Sequence, residues 1–209
     1  MSFNHKITDL KFHMNKLVPE DVCKYFINFY ENNTKHASVE NSYKFKTKKK
    51  EEDNYKCINL THLSVKDDNF IKPLELAKKY IGIVVINYVA HIISKKISPT
   101  YSNFFINSSE NIRILKYERG QFIKDHSDIS TLERASCTLN LNEDYEGGEF
   151  RFFDGQIKYS FKTGDAMLFP AEPIWIHGTE PITKGVRYSI NCFLYREYKD
   201  LETYESIKK

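Results

Sequence analysis

The 209-residue chain lacks several features that would each have pointed to a class of function. Its four cysteines, Cys23, Cys57, Cys137 and Cys192, form no C-x-x-C pair, so neither a zinc knuckle nor a dithiol redox motif is indicated. We expect all four to be small buried thiols. With 31 basic and 28 acidic residues the formal net charge is +3, a near balance that does not favour nucleic acid as a partner.

Long apolar runs are also missing. The first residues contain no apolar h-region of a signal peptide, and the longest apolar region, 80–93, is interrupted by Asn87 and His91. Because that region is too short to span a bilayer, we expect a soluble, cytoplasmic protein without a membrane partner. The length suits one domain with a substantial core.

Two stretches of the N-terminal half predict packing helices. Pro19 and two acidic residues open a helix that runs to about residue 32, and residues 68–96 carry apolar side chains every three or four positions. The charged run 43–53 is expected to be a solvated loop or hairpin rather than a substrate-docking patch.

After Pro99 the pattern changes to short β-type runs separated by turn residues. Eight such strands predict a double-sheet β fold, a barrel or jelly roll, buttressed by the N-terminal helices. In the strand 135–142 apolar and polar residues alternate, so its polar face is expected to point into the barrel and its apolar face towards a helix. The predicted strands are 112–117, 122–128, 135–142, 148–153, 157–161, 166–169, 174–177 and 186–194.

Three side chains in this region could share a metal. On an extended strand the period of two places His126 and Asp128 on one face, and His177 lies in a later β-type segment that can supply a third ligand. Two histidines and one carboxylate on one face of an octahedron leave three positions open, which is the arrangement used by non-haem Fe(II) oxygenases.

A fourth residue makes the hypothesis more specific. A turn region with glycine and proline separates His177 from a strand that contains Arg187, and antiparallel pairing of the two strands would return Arg187 to the metal. Arg187 and Ser189 share a strand face, where a guanidinium beside a hydroxyl can hold a carboxylate. The ligand needs a carboxylate at one end and a metal chelate at the other, and 2-oxoglutarate meets both demands.

Other classes of metal-binding protein fit the sequence less well. A non-catalytic, cupin-like metal-binding module would normally carry an H-x-H motif followed by glutamate, which is missing here. A zinc hydrolase could use the same two histidines and aspartate, but no motif places a general base. Both alternatives leave Arg187 without a purpose. Nucleic-acid demethylases have an R-x5-R pattern, whereas the residue six after Arg187 is Phe193.

The C-terminal half resembles the Fe(II)- and 2-oxoglutarate-dependent oxygenases, and within them the prolyl 4-hydroxylase-like branch. The similarity covers roughly residues 111–195. Each motif alone is weak, but their order and spacing together are specific. The motifs are YERGQ (117–121), HSD (126–128), LNEDYEGGE (141–149), GDAMLFP (164–170) and HGTEPITKGVRYS (177–189).

The resemblance implies a double-stranded β-helix as the catalytic core at 111–195, with a support region at 1–110 and a tail at 196–209 of one domain. It implies that His126, Asp128 and His177 bind Fe(II) and that Arg187 pairs with the distal carboxylate of 2-oxoglutarate. O2 is the second cosubstrate, and ascorbate is a further candidate ligand.

Three more residues are assigned to the cosubstrate pocket by the same resemblance. Tyr117 matches a tyrosine beside the cosubstrate, and Asn140 and Ser189 are placed with it. Each has a structural alternative: core packing for Tyr117, a hydrogen bond to a neighbouring strand or water for Asn140, and satisfaction of backbone groups for Ser189.

The implied reaction hydroxylates a C–H bond and releases succinate and CO2. A peptidyl residue is the favoured substrate, and a small molecule stays open as the alternative. Two departures weaken a collagen-like proline as the target: Ile123 stands where prolyl hydroxylases tend to have tyrosine, and Arg187 stands where collagen-type enzymes tend to have lysine.

Overall fold

The structure, a computed structural model, describes residues 5–41, 54–97, 106–128 and 133–196. The charged run 43–53 and residues 197–209 of the expected tail lie outside the described residues. Within the described residues the α-helices are α1 (Glu20–Asn32), α2 (Leu60–Ser64) and α3 (Ile71–Ser94). The strands are β1 (Phe12–Met14), β2 (Ser38–Asn41), β3 (Asn54–Asn59), β4 (Ser108–Tyr117), β5 (Glu133–Asn140), β6 (Glu146–Gly147), β7 (Phe150–Phe152), β8 (Ile157–Tyr159), β9 (Ala166–Pro170), β10 (His177–Thr179), β11 (Ile182–Lys184) and β12 (Arg187–Tyr195).

The strands form one large sheet and two small ones. The large sheet has the order β1-β9-β5-β12-β4-β3-β2, and the small sheets are β10-β7-β8 and β11-β6. Every pairing between the described strands is antiparallel. The predicted jelly-roll fold is confirmed, with the strand β12 at the centre of the large sheet.

The predicted helices α1 and α3 are confirmed, and they pack on the outer face of the large sheet. Phe26 of α1 and Val84 of α3 are fully buried in one hydrophobic cluster with Leu139 of β5 and Ile190 of β12. Because side chains alternate along a strand, the neighbours of these sheet residues point to the opposite face. The polar side chains of β5 therefore face the interior of the jelly roll, as the alternation predicts.

Helix α3 is longer than the apolar run 80–93 suggests. By length and apolar composition alone, Asp68–Ser94 could cross a membrane, whereas the expectation of no membrane span considered only the shorter run 80–93. The helix extends upstream because Leu74 and Ala77 continue its apolar stripe. The core helix of a soluble protein passes the same test, and the buried side chains of α3 belong to the cluster on the large sheet.

Three expectations about strands are wrong. The segment 122–128 is no regular strand, since only an isolated bridge joins His126 to His177. The strands of His177 and Arg187 do not pair with each other: β10 pairs with β7 in a small sheet, and β12 pairs with β4 and β5. In addition, the run predicted at 174–177 begins as a strand only at His177.

Candidate metal and cosubstrate site

Two histidines and one aspartate converge at the mouth of the jelly roll. The Nε2 atom of His126 lies 3.1 Å from Asp128 Oδ1, and the Nε2 atom of His177 lies 3.3 Å from Asp128 Oδ2. The possible ligand atoms of the three residues all lie within 4.8 Å of one another. The structure therefore brings together the three residues that the sequence predicts as metal ligands, although His126 and Asp128 are not on a regular strand.

Backbone hydrogen bonds between the segments that carry His126 and His177 hold this geometry. The amides of His126 and His177 each donate to the other residue's carbonyl oxygen at 2.9 Å, which ties the 119–128 segment to the start of β10. Gly178 is required next to His177, because an added Cβ would lie 2.7 Å from the carbonyl oxygen of Ile123. The approach of the two segments thus depends on a residue without a side chain.

The hydrogen bonds of the imidazole rings fit a metal. His126 Nδ1 lies 2.8 Å from the carbonyl oxygen of Lys124, and His177 Nδ1 lies 3.0 Å from that of Trp175. A carbonyl oxygen only accepts, so both Nδ1 atoms carry the proton and both Nε2 lone pairs face the carboxylate of Asp128. Lone pairs that face a carboxylate need a cation between them, and a divalent metal satisfies all three groups.

In the metal-free protein, a proton between Asp128 and its imidazole neighbours takes the place of that cation. Burial would raise the pKa of Asp128, but hydrogen bonds from His126 and His177 hold that pKa far below its usual range. Burial would lower the pKa of His126, but the hydrogen bond to Asp128 raises it above the ordinary value. The group therefore keeps an ionised carboxylate beside imidazoles that take up a cation.

Ser136 was not singled out as a site residue by the sequence, and the structure places it against the triad. Its Oγ donates to Asp128 Oδ2 at 2.5 Å. The ring of His177 is enclosed by two phenylalanines, with ring centres 5.5 Å from Phe150 and 4.7 Å from Phe169. Alternation along β5 could have shown that Ser136 faces inwards, but nothing local could show that it meets Asp128.

Arg187 is buried on the inner face of the large sheet and is only 2% exposed. Its Nε donates to Asn140 Oδ1 at 3.2 Å, and its guanidinium carbon lies 5.5 Å from the centre of the Tyr117 ring. Among the described residues no carboxylate forms an ion pair with Arg187. A buried cation without an anionic partner is costly, so this position is suited to an anionic ligand.

The structure places the other three predicted pocket residues at different distances from this arginine. Tyr117 is the register partner of Arg187 across β4 and β12, and burial raises the pKa of its hydroxyl. Asn140 is fully buried and contacts Arg187 directly. Ser189 does not join them through its side chain, since its Oγ donates to Asn191 Oδ1 at 3.2 Å.

A cavity of about 180 Å³ opens beside the triad. His126, Asp128 and His177 line it, whereas Arg187, Tyr117, Asn140 and Ser189 are not in its wall. Leu115 and Ile123 belong both to the wall and to the hydrophobic cluster that contains Tyr117. Through these two residues the cavity wall is continuous with the packing around Tyr117, the register partner of Arg187.

Comparison with known proteins identifies relatives of this segment. Residues 112–195 match the model of the 2OG-Fe(II) oxygenase superfamily. A PKHD-type hydroxylase of Synechococcus sp. (strain JA-2-3B'a(2-13)) is 35% identical over 91 residues, which cover 38% of this chain and 40% of that protein. One of Xylella fastidiosa (strain M12) is 36% identical over 67 residues, which cover 30% of this chain and 28% of that protein. The chain thus spans two fifths or less of these relatives' length.

Solved structures share the fold over nearly the whole chain. A prolyl hydroxylase from Trichoplax adhaerens, in complex with a hypoxia inducible factor peptide fragment, has a TM-score of 0.64 at 13% identity and covers 97% of this chain and 88% of its own. A Pseudomonas putida prolyl-4-hydroxylase has a TM-score of 0.59 at 16% identity and covers 92% of this chain and 97% of its own. At such identities the likeness concerns the fold.

Proposed function

We propose that this chain, whose residues 112–195 belong to the 2OG-Fe(II) oxygenase superfamily, is an Fe(II)- and 2-oxoglutarate-dependent hydroxylase of the prolyl hydroxylase-like branch. The observation that carries the proposal is the convergence of His126, Asp128 and His177 with both Nε2 lone pairs turned to one carboxylate. Such a two-histidine, one-carboxylate face is the ligand set of non-haem Fe(II) oxygenases.

The chain's own residues have separate tasks in this proposal. His126, Asp128 and His177 would hold Fe(II), and Ser136 would fix the orientation of the Asp128 carboxylate through its short hydrogen bond. When bound, Fe(II) and 2-oxoglutarate supply the activation of O2, with succinate and CO2 as products of the cosubstrate. Ascorbate stays a candidate reductant.

Arg187 would bind the distal carboxylate of 2-oxoglutarate. Its burial and its lack of a described anionic partner support this role, and Asn140 supports it by orienting the guanidinium through Nε. Tyr117 would cover the flat face of the guanidinium. Ser189 would contribute to the pocket indirectly, through the hydrogen bond that its Oγ donates to Asn191.

The proposed substrate is a peptidyl residue. Relatives named prolyl hydroxylase share the fold, and one of them was solved with a peptide fragment, which supports a peptide as the substrate. A small molecule is the second candidate, supported by the modest size of the cavity beside the triad. We further propose that the chain is one domain with the catalytic core at 111–195, and that it works inside the cell, as its four free cysteines suggest.

Anaerobic titration of 2-oxoglutarate into the Fe(II)-loaded protein tests the proposal. Wild type should develop a metal-to-ligand absorption band and, after O2 is admitted with a peptide and metabolite panel, should form succinate. Asp128→Ala should do neither, because two imidazoles alone hold the metal weakly. A zinc hydrolase or a cupin-like module would show no dependence on 2-oxoglutarate, and that result would overturn the assignment.

A further inference from the structure

A second arginine, Arg113 of β4, lines the cavity beside the triad and has no task in the proposed reaction. Its Nη1 donates to Glu40 Oε2 of β2 at 2.7 Å. Its guanidinium carbon lies 5.2 Å from the centre of the Phe193 ring, which holds the side chain against the cavity wall. Two separate contacts therefore fix the position of this cation next to the metal ligands.

Several N–H donors of Arg113 have no hydrogen-bond acceptor among the described residues. Its Nε is buried without a hydrogen-bond partner, and its Nη2 donates to no described residue. Asn191, which faces Arg113 across β4 and β12, also lines the cavity. Its Oδ1 accepts from Thr138 and Ser189, and its Nδ2 has no acceptor among the described residues. The N–H groups of Arg113 Nη2 and Asn191 Nδ2 are therefore available to donate to a ligand oxygen in the cavity.

The charge of Arg113 is already compensated. Glu40 forms an ion pair with Arg113 and also accepts hydrogen bonds from Tyr55 at 3.1 Å and from Cys57 at 3.0 Å. Burial would lower the pKa of Arg113, but Glu40 raises it above the ordinary value. The pair is therefore neutral as a whole and still offers N–H groups to the cavity.

The loaded metal site would also be neutral. A divalent iron and one arginine balance the Asp128 carboxylate and the two carboxylates of 2-oxoglutarate. An additional anion in this cavity would have no counter-charge, and burying it would be costly. A neutral carbonyl oxygen has two acceptor lone pairs and adds no charge.

We propose that Arg113 and Asn191 form a substrate-binding subsite that donates hydrogen bonds to a neutral carbonyl oxygen, such as a peptide group next to the residue that is hydroxylated. The inference rests on the proposed function and assigns its substrate specificity to this pair. Glu40 is the positioning residue, because it holds the guanidinium and cancels its charge.

The test uses the full chain loaded with Zn(II) and 2-oxoglutarate, so that binding is measured without turnover. The probes are twenty capped tripeptides, Ac-Ala-Xaa-Ala-NH2, and the corresponding free amino acids, observed by ligand NMR. The variants are Arg113→Met combined with Glu40→Gln, which removes donors and charge together, and Glu40→Gln alone. Arg134→Met, a change at an exposed arginine of β5, is the matched control.

Wild type should bind at least one capped peptide more tightly than the free amino acid. The double variant should lose about tenfold in peptide affinity, or about 1.4 kcal/mol, while its affinity for 2-oxoglutarate changes less than twofold. Glu40→Gln alone leaves an uncompensated cation and should shift the preference towards free amino acids, which carry a carboxylate. The control should behave as wild type.

Three results would overturn the subsite. They are unchanged peptide affinity in the double variant, loss of 2-oxoglutarate affinity in that variant, which would assign Arg113 to the cosubstrate, and failure of every capped peptide to bind to wild type. Failure of the proposed function is distinguishable, because wild type would then not bind 2-oxoglutarate at all.

Discussion

Substitution of Arg187 by glutamine tests the cosubstrate site most directly. Glutamine keeps a polar side chain of similar reach and removes the positive charge. Arg187 is 2% exposed and has no carboxylate partner among the described residues, so in the proposed complex the distal carboxylate of 2-oxoglutarate depends on this guanidinium. The substitution would leave that carboxylate buried without its counter-charge.

The expected loss follows from the cost of an unpaired buried charge. Removing one partner of a buried ion pair costs roughly 3–5 kcal/mol. At about 1.4 kcal/mol per factor of ten, the Kd for 2-oxoglutarate should rise about a hundredfold to a few thousandfold. Affinity for Fe(II) should change little, because Arg187 is not one of the three metal ligands.

The assay is anaerobic titration of 2-oxoglutarate into the Fe(II)-loaded variants, followed by the metal-to-ligand absorption band. Arg134→Gln on the exposed surface of β5 should match wild type and serves as the control. If Arg187→Gln bound 2-oxoglutarate within threefold of wild type, the assignment of Arg187 to the distal carboxylate would be wrong. Loss of Fe(II) binding in the same variant would instead indicate a structural role.

Three further substitutions address the rest of the site. Arg187→Lys should retain part of the 2-oxoglutarate affinity in the same titration, because an ammonium keeps the charge and loses the fork geometry. Ser136→Ala removes the 2.5 Å hydrogen bond to Asp128 and should weaken Fe(II) binding about tenfold or more, measured by competition with a chelator. Gly178→Ala would place a Cβ 2.7 Å from the Ile123 carbonyl oxygen, so thermal unfolding should show lost stability; an unchanged Tm would show that the two segments can separate freely.

Local sequence was sufficient to predict the parts of the fold that depend on periodicity. Apolar spacing gave α1 and α3, and the alternation in β5 gave the faces of Leu139 and Asn140 correctly, because burial on one side of a strand leaves a period of two. The triad was also predicted. The argument from a regular strand was wrong, because His126 and Asp128 lie on an irregular segment that is held by the bridge to His177.

The pairing of strands that are distant in sequence could not be predicted from local periodicity. Arg187 reaches the site because β12 lies between β4 and β5, not because its strand pairs with that of His177. Glu40 meets Arg113 across 73 positions, and neither residue stands in a pattern that marks it. The short strands β2 and β3, which bring Glu40 to Arg113 and Tyr55 to the cavity wall, have no clear alternation of apolar residues.

Arg187, which is buried, and Arg113, which is partly buried, should have opposite effects on stability when their charge is removed. Arg187 has no described anionic partner, so Arg187→Met should remove a desolvation cost and raise the free energy of unfolding of the ligand-free protein by about 1–4 kcal/mol. Asn140 Oδ1 would still accept from Tyr145 at 3.3 Å. Arg113→Met would leave Glu40 without its counter-charge and should lower the same quantity. Urea denaturation measures both, and a destabilised Arg187→Met protein would show that the Arg187 charge is compensated without a ligand.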